Sequence, residues 1–207
     1  VGMCRGDNEP FPPMSPRRVV PTLQSIAANA AMAGCRPAYF PVVVAAVRSV
    51  LETAYNLHGT LATTHPCGPG IIVCGPIRHE IGLNCGSNCF GQGNRANAAI
   101  GRALQLTLLN VGGAKPGEMD RSTQGSPAKF SFCFGENEEA SDWTPMHVER
   151  GFAAEQSTVT VHSVMNWQSC VDFTSRSPED VCNSYANHIL RQGVFSDRFL
   201  GDGQNLL

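Results

Sequence analysis

No apolar run in this chain approaches the roughly 20 residues that a membrane-spanning helix requires, which excludes a bilayer-spanning helix. Charge is sparse, with 15% of residues Asp, Glu, Lys or Arg and a formal net charge of -2. No basic cluster is larger than the pair Arg17–Arg18, so the electrostatic footprint of a nucleic-acid or membrane-surface binder is missing. There is no CxxC, and no Cys/His pair has zinc-finger spacing. The glycines form neither GxGxxG nor the phosphate loop GxxxxGK[ST], so no nucleotide is implied. Internal repeats and low-complexity linkers are absent too.

What is present fits one globular unit. The 207 residues suffice for a well-buried domain, and 42% hydrophobic content is ordinary for one. Nine cysteines are many for this length, and the odd count leaves at least one unpaired within the chain. Cys35, Cys74 and Cys133 lie in or beside apolar segments, where cysteine serves as a small core residue. The expectation is reduced thiols in a cytoplasmic setting. The tail RFLGDGQNLL reads as the start of another strand, so a further C-terminal piece is expected.

Residues 1–20 read as an irregular arm, because Pro10, Pro12, Pro13 and Pro16 break any regular element. Residues 21–207 then form a single domain. A helix is expected from Pro21 to Ala33 and a second, mostly buried, from Pro37 to about Tyr55. Strands are expected at Thr60–Thr64, Gly70–Cys74, Lys129–Phe134 and Ser157–Val164. A short helix should cover Ile77–Ile81, and a long one Asn94–Asn110, with Ala96, Ile100, Leu104 and Leu108 along its seam. The last helix is Pro178–Arg191, with Ser177 as N-cap. The pattern predicts an α/β or α+β fold with a mixed sheet and a long central helix following a Gly-rich turn.

Four groups of residues carry site chemistry. The turn FGQGNRANA places Gly93 and Asn94 at a helix N-terminus suited to an anion, with Arg95 and Asn97 beside it. Ahead of it lie Cys85 and Cys89, thiols close to a helix start, where a thiolate is favoured. The acidic stretch FGENEEASDWTPMHVERGF carries Glu136, Glu138, His147 and Glu149, a set suited to proton transfer or to a divalent metal. His65, at the expected end of the Thr60–Thr64 strand, is a candidate base. Glu118, Asp120 and Lys129 add polar groups for substrate binding.

Three functions follow from these groups. The leading one is an enzyme of lyase or hydrolase type that acts on a small polar or anionic molecule by acid–base chemistry, with a divalent metal as a candidate cofactor. Here His65, Glu136, Glu138, His147, Glu149 and Cys89 are the candidate catalytic residues. Gly93, Asn94, Arg95, Asn97, Glu118, Asp120 and Lys129 are the candidate binding residues. The alternatives are a thiol oxidoreductase using Cys85 and Cys89 and a non-catalytic subunit of a larger assembly. A homo-oligomer or a partner subunit is expected, with no nucleic acid and no membrane.

The strings AANAAMAGCRPAYFPVV, LHGTLATTHP, GNRANAAIGRALQLTLLNVGGAKPGEMDRSTQGSPAKFSFC and ENEEASDWTPMHVERGF resemble the large C-terminal part of UGSC-like (seleno)proteins, over about residues 22–165. The resemblance implies a redox-linked or lyase-type enzyme. Its matching polar positions include His65, Asn94, Arg95, Asn97, Glu118, Asp120, Lys129, Glu136, Glu138, His147 and Glu149. The Gly-Ser-Cys segment of that family is not in this chain. The Cys85/Cys89 spacing and the residues after Val164 also depart from its pattern.

Overall fold

The computed structural model describes residues 10–165 and 167–191. The expected strand near the C-terminus lies outside the described residues. Thr22 opens the first helix, α1 (Leu23–Met32), through a reciprocal capping box with Ser25. Pro37 starts a 3₁₀ turn, Pro37–Tyr39, that runs directly into α2 (Phe40–Leu51). That helix buries Val42, Val43, Ala46, Val47 and Val50, as its apolar sequence requires. It stops earlier than expected: Glu52 turns to an extended conformation, and Thr53–Tyr55 forms a separate 3₁₀ turn.

The expected strand at Thr60–Thr64 is instead α3 (Leu57–Ala62). Leu57, Thr60 and Leu61 recur at spacings of three and four, and these are its buried residues. Asn56 caps the helix through its side chain, which accepts from Gly59 N. Helical periodicity and a cap thus outweigh the β-branched threonines.

The sheet is mixed and has three strands: β1 (Gly68–Cys74), β2 (Cys133–Gly135) and β3 (Thr158–Val164). Their order is β2-β1-β3, with β1 parallel to β2 and antiparallel to β3. Register pairs Ile71 with Cys133 and Val161, and Val73 with Gly135 and Val159. Alternation therefore sends Ile71, Val73, Cys133, Val159 and Val161 to one face, where the first four belong to the hydrophobic core and the half-buried Val161 packs against it. The expected strand at Lys129–Phe134 is shorter than its sequence suggests, because Pro127–Lys129 forms a 3₁₀ turn.

Parallel β1 and β2 require a crossover, and the long helix α5 (Arg95–Thr107) lies within it. Its seam, Ala96, Ile100 and Leu104, continues to Leu108 in a π turn, Leu108–Gly112, and all four residues are buried. Gly113, with φ +81, ends the run. Helix α5 packs on α1, α2 and β2, while α2 packs on β3, so these helices cover the core face of the sheet. The N-terminal arm is irregular but not peripheral: Met14 is fully buried and Arg17 N donates to Gly112 O at 3.0 Å.

Two short helices, α4 (Ile77–Glu80) and α6 (Met146–Glu149), sit near the end of β1. The last helix, α7 (Pro178–Arg191), begins at Ser177, whose hydroxyl accepts from Asp180 N, and it buries no residue. Among the described residues no helix is long and apolar enough to cross a membrane. The result is a single α+β domain with a mixed sheet, as the alternation of elements suggested.

Candidate functional site

The site forms where the parallel strands β1 and β2 both reach their carboxyl ends. Past Cys74 the chain turns at Gly75, whose φ is +85. A side chain there would meet the Gln156 carbonyl and Ser157, so glycine is required on two counts. The Gly75 amide donates to Glu138 Oε1 at 2.7 Å. At the end of β2, Glu136 N bonds to Val73 O at 2.9 Å and prolongs the parallel pairing. The acidic stretch that follows is thereby laid across the end of β1.

Arg78, on α4, organises this crossing. It is 2% exposed, and each of its three guanidinium nitrogens is engaged. Nε donates to Gly75 O at 2.9 Å, and Nη1 to Glu136 O at 2.6 Å and to Glu139 Oε2 at 3.1 Å. Nη2 reaches Glu139 Oε1 at 3.0 Å and Glu138 Oε2 at 2.7 Å. Burial by itself would lower the Arg78 pKa, but pairing with Glu139 and Glu138 overturns that and holds it above its ordinary value. In return Arg78, and then His79 at 2.8 Å, pull the Glu139 carboxyl down to about 2.

Behind Arg78 four polar side chains converge. Atoms of Cys74, Glu136, Glu138 and His147 lie within 4.8 Å of one another. Both Glu136 oxygens accept from Met146 N, at 3.0 and 3.1 Å, which fixes the carboxylate at the start of α6. His147, the next residue, is 2% exposed. Its Nε2 lies 3.4 Å from Ala154 O, and its Nδ1 lies 3.7 Å from Glu138 Oε1 with no hydrogen-bond partner among the described residues. Burial, and then the neighbouring Glu136, push the Cys74 thiol up to about 12.

Next to the cluster a cleft of about 660 Å³ opens to solvent. Glu136, Ser141, Asp142, Trp143, Thr144, Met146 and Glu149 line it. Glu136 thus borders both the buried cluster and the open cleft. Three carboxylates and an indole that is 86% exposed make this wall acidic and aromatic.

The structure brings together Glu136, Glu138, His147 and, across the cleft, Glu149. The other sequence candidates lie elsewhere. His65 precedes the amino end of β1, roughly 20 Å along the strand from Cys74 at the usual rise per residue. Its carbonyl accepts from the Ser122 hydroxyl at 2.9 Å. Lys129 and Asp120 pair at 2.9 Å near that same end, where Lys129 Nζ also donates to Cys67 O at 3.1 Å. Glu118 pairs with Lys115 at 3.6 Å on the same loop. Bonds from Ser122 and Ser126 to the carbonyls of His65 and Pro66 tie this loop to the chain entering β1.

The glycine turn also spends its polar groups on structure. Gly93 has φ +104, and the Asn94 side chain accepts from Asn97 N and donates to Gly82 O at 2.9 Å. Arg95 Nε points to Gly34 O at 3.0 Å. Asn97 is buried, accepts from Asn84 N, and donates to the carbonyls of Asn84 and Cys89. Replacing Asn94 with Ala should therefore lower stability by about 1 kcal/mol, read as a shift in urea midpoint at constant slope. An unchanged midpoint would show that the cap contributes nothing.

All eight described cysteines are unpaired. Cys85 Sγ lies 3.7 Å from Arg78 Nη1, while burial raises the pKa of Cys89. Sequence reasoning missed Cys74 as a site residue and Arg78 altogether. The latter carried no local signal, standing beside His79 and Glu80 in CGPIRHEIGL as an ordinary charged residue. Comparison with family models, with characterised proteins and with solved structures finds no match to this chain.

Proposed function

We propose that this chain is an enzyme of lyase or hydrolase type that acts on a small polar molecule by acid–base chemistry at the carboxyl end of β1. The observation that carries this reading is the double position of Glu136, a member of the buried Cys74–Glu138–His147 cluster and a wall of the open cleft. Glu136 and Glu149 are the carboxylates that reach bound substrate, one on the buried side of the cleft and one exposed. They take and return the proton, while Arg78 and the Gly75 amide hold Glu138 in place behind them. Trp143 offers a flat apolar face to a substrate in the cleft. The acidic lining weighs against an anion, since Arg95 is spent on Gly34 and no basic residue among the described residues lines the cleft.

A second reading, a thiol oxidoreductase, is favoured by one contact, that of Arg78 with Cys85, because a guanidinium stabilises a thiolate. The two separate by mutation. Turnover is sought with panels of ester, amide and phosphoester substrates, of substrates that eliminate water or ammonia, and of disulfides. In the acid–base reading Glu136→Gln and Glu149→Gln each reduce turnover by about 10²- to 10⁴-fold, and the double exchange Cys85→Ser/Cys89→Ser leaves it intact. The reverse pattern would hand the site to the thiols. Turnover insensitive to all four exchanges would sink both readings.

A further inference from the structure

Resting on the reading of this cluster as the chemical site, we propose that Cys74, Glu136, Glu138 and His147 bind one divalent transition-metal ion, of the zinc class. The four side chains come from separate parts of the chain: the last residue of β1, the stretch after β2, and α6. The fold therefore builds the set, with no local ligand motif in the sequence.

At the centre of the cluster stands one unmatched acceptor, His147 Nδ1. His147 Nε2 faces the Ala154 carbonyl, which only accepts, so the ring proton belongs on Nε2 and Nδ1 carries a lone pair. That lone pair points toward Glu138 Oε1, another acceptor, at 3.7 Å. Nδ1 is buried and has no partner among the described residues, a costly state for a polar atom that a cation between the two would relieve. The Glu136 carboxylate adds a further acceptor, and the Cys74 thiol supplies sulfur by giving up its proton when a metal binds. One imidazole, one thiol and two carboxylates suit a borderline ion such as zinc, whereas magnesium and calcium favour all-oxygen shells.

Support around the set is already built. The Gly75 amide and Arg78 orient Glu138, the Met146 amide orients Glu136, and Ala154 sets the His147 tautomer. Such outer contacts are what keep ligands in register for a metal. Arg78 and a divalent ion together offset three of the four negative charges of Glu136, Glu138, the exposed Glu139 and a thiolate. Ligand atoms around tetrahedral zinc stand about 3.5 Å apart, so binding draws the present set inward by about 1 Å. With the ion bound, Glu136 serves as a ligand and Glu149 is left to carry the proton, and because Glu136 also lines the cleft the ion is placed within reach of substrate.

The test uses the whole chain, stripped with chelator and titrated with cobalt(II) and, separately, with zinc. One equivalent of cobalt is expected, with a sulfur-to-cobalt charge-transfer band in the near ultraviolet. Cys74→Ser should remove that band while its circular dichroism stays that of the parent. His147→Gln should weaken affinity by at least ~100-fold, beyond what loss of an outer contact costs. Zinc should raise the melting temperature of the parent and not of His147→Gln.

No cobalt uptake by the parent would overturn the proposal, as would a charge-transfer band that survives Cys74→Ser. So would a chelator-treated protein whose His147 carries a proton on both nitrogens by ¹⁵N NMR at neutral pH, with no displacement by zinc. The two readings fail separately. Turnover by protein that takes up no metal ends the metal site and leaves the acid–base enzyme standing. Stoichiometric metal without turnover keeps the site and ends the enzyme.

Discussion

Replacing Arg78 with Met is expected to destabilise the protein by about 3–5 kcal/mol, the range for removing one partner of a buried ion pair. The guanidinium is 2% exposed and holds four separate groups: the carbonyls of Gly75 and Glu136 and the carboxylates of Glu138 and Glu139. Met fills much of the volume but donates no hydrogen bond. Glu138, itself 13% exposed, then loses its partner cation and keeps the Gly75 amide and the neighbouring imidazole, with the Glu136 carboxylate still close by. Urea unfolding of the single variant measures the loss. A double variant, Arg78→Met with Glu138→Gln, should lose less than the sum of the two singles, because the stranded charge is gone. A single-variant loss under about 1 kcal/mol would mean that Arg78 behaves as a surface charge.

The second large effect is expected from a single methyl group. Gly75→Ala should cost about 3 kcal/mol, from two sources. A left-handed backbone at φ +85 costs an alanine roughly 1–2 kcal/mol. The new Cβ also meets the Gln156 carbonyl and Ser157, a steric conflict of the kind that costs about 1–3 kcal/mol in packed interiors. Gly82→Ala is the matched control, since Gly82 has φ +62 and open space where the Cβ would stand. It should lose the backbone part alone. Equal losses at the two positions would show that the contact with the segment before β3 carries no energy. The Gly75 variant should also bind cobalt more weakly, because relieving the conflict moves the amide that holds Glu138.

Much of the architecture was legible in local chemistry. Pro37, Asn94 and Ser177 mark helix starts, and each stands at the start that the structure shows. The spacing-four seam of α5 is the seam that is buried. Where the expectation failed, two local signals competed. Thr60, Thr63 and Thr64 favour a strand by residue type, but Leu57 and Leu61 recur at helical spacing, and Asn56 supplies a cap. The failure mattered for function. It placed His65 at the carboxyl end of a strand, whereas the strand whose carboxyl end builds the site is β1, and His65 lies before its other end. The rule that ligands gather at the carboxyl ends of parallel strands was the right one, applied to the wrong segment.

The candidate site divides in the same way. Glu136, Glu138, His147 and Glu149 stand within fourteen residues of one another, so an acidic, imidazole-bearing stretch could be read directly. Its partners could not. Cys74 and Arg78 are some sixty residues away and meet that stretch only because β1 and β2 pair in parallel, Val73 opposite Gly135. Conversely, Asn94, Arg95 and Asn97 look like free polar groups beside a glycine turn, yet each is bound to a loop carbonyl or amide that folding brings to it.

By itself, then, the sequence determined the elements and one half of the candidate site, because capping, glycine turns and apolar spacing act over a few residues. Tertiary structure alone decided which polar groups are left for chemistry. Whether a side chain is consumed or spare depends on donors and acceptors delivered by distant segments, and only strand pairing and burial fix those. Arg78 shows both parts of this: an ordinary charged residue in sequence, and in the fold the buried cation around which the carboxylates are arranged.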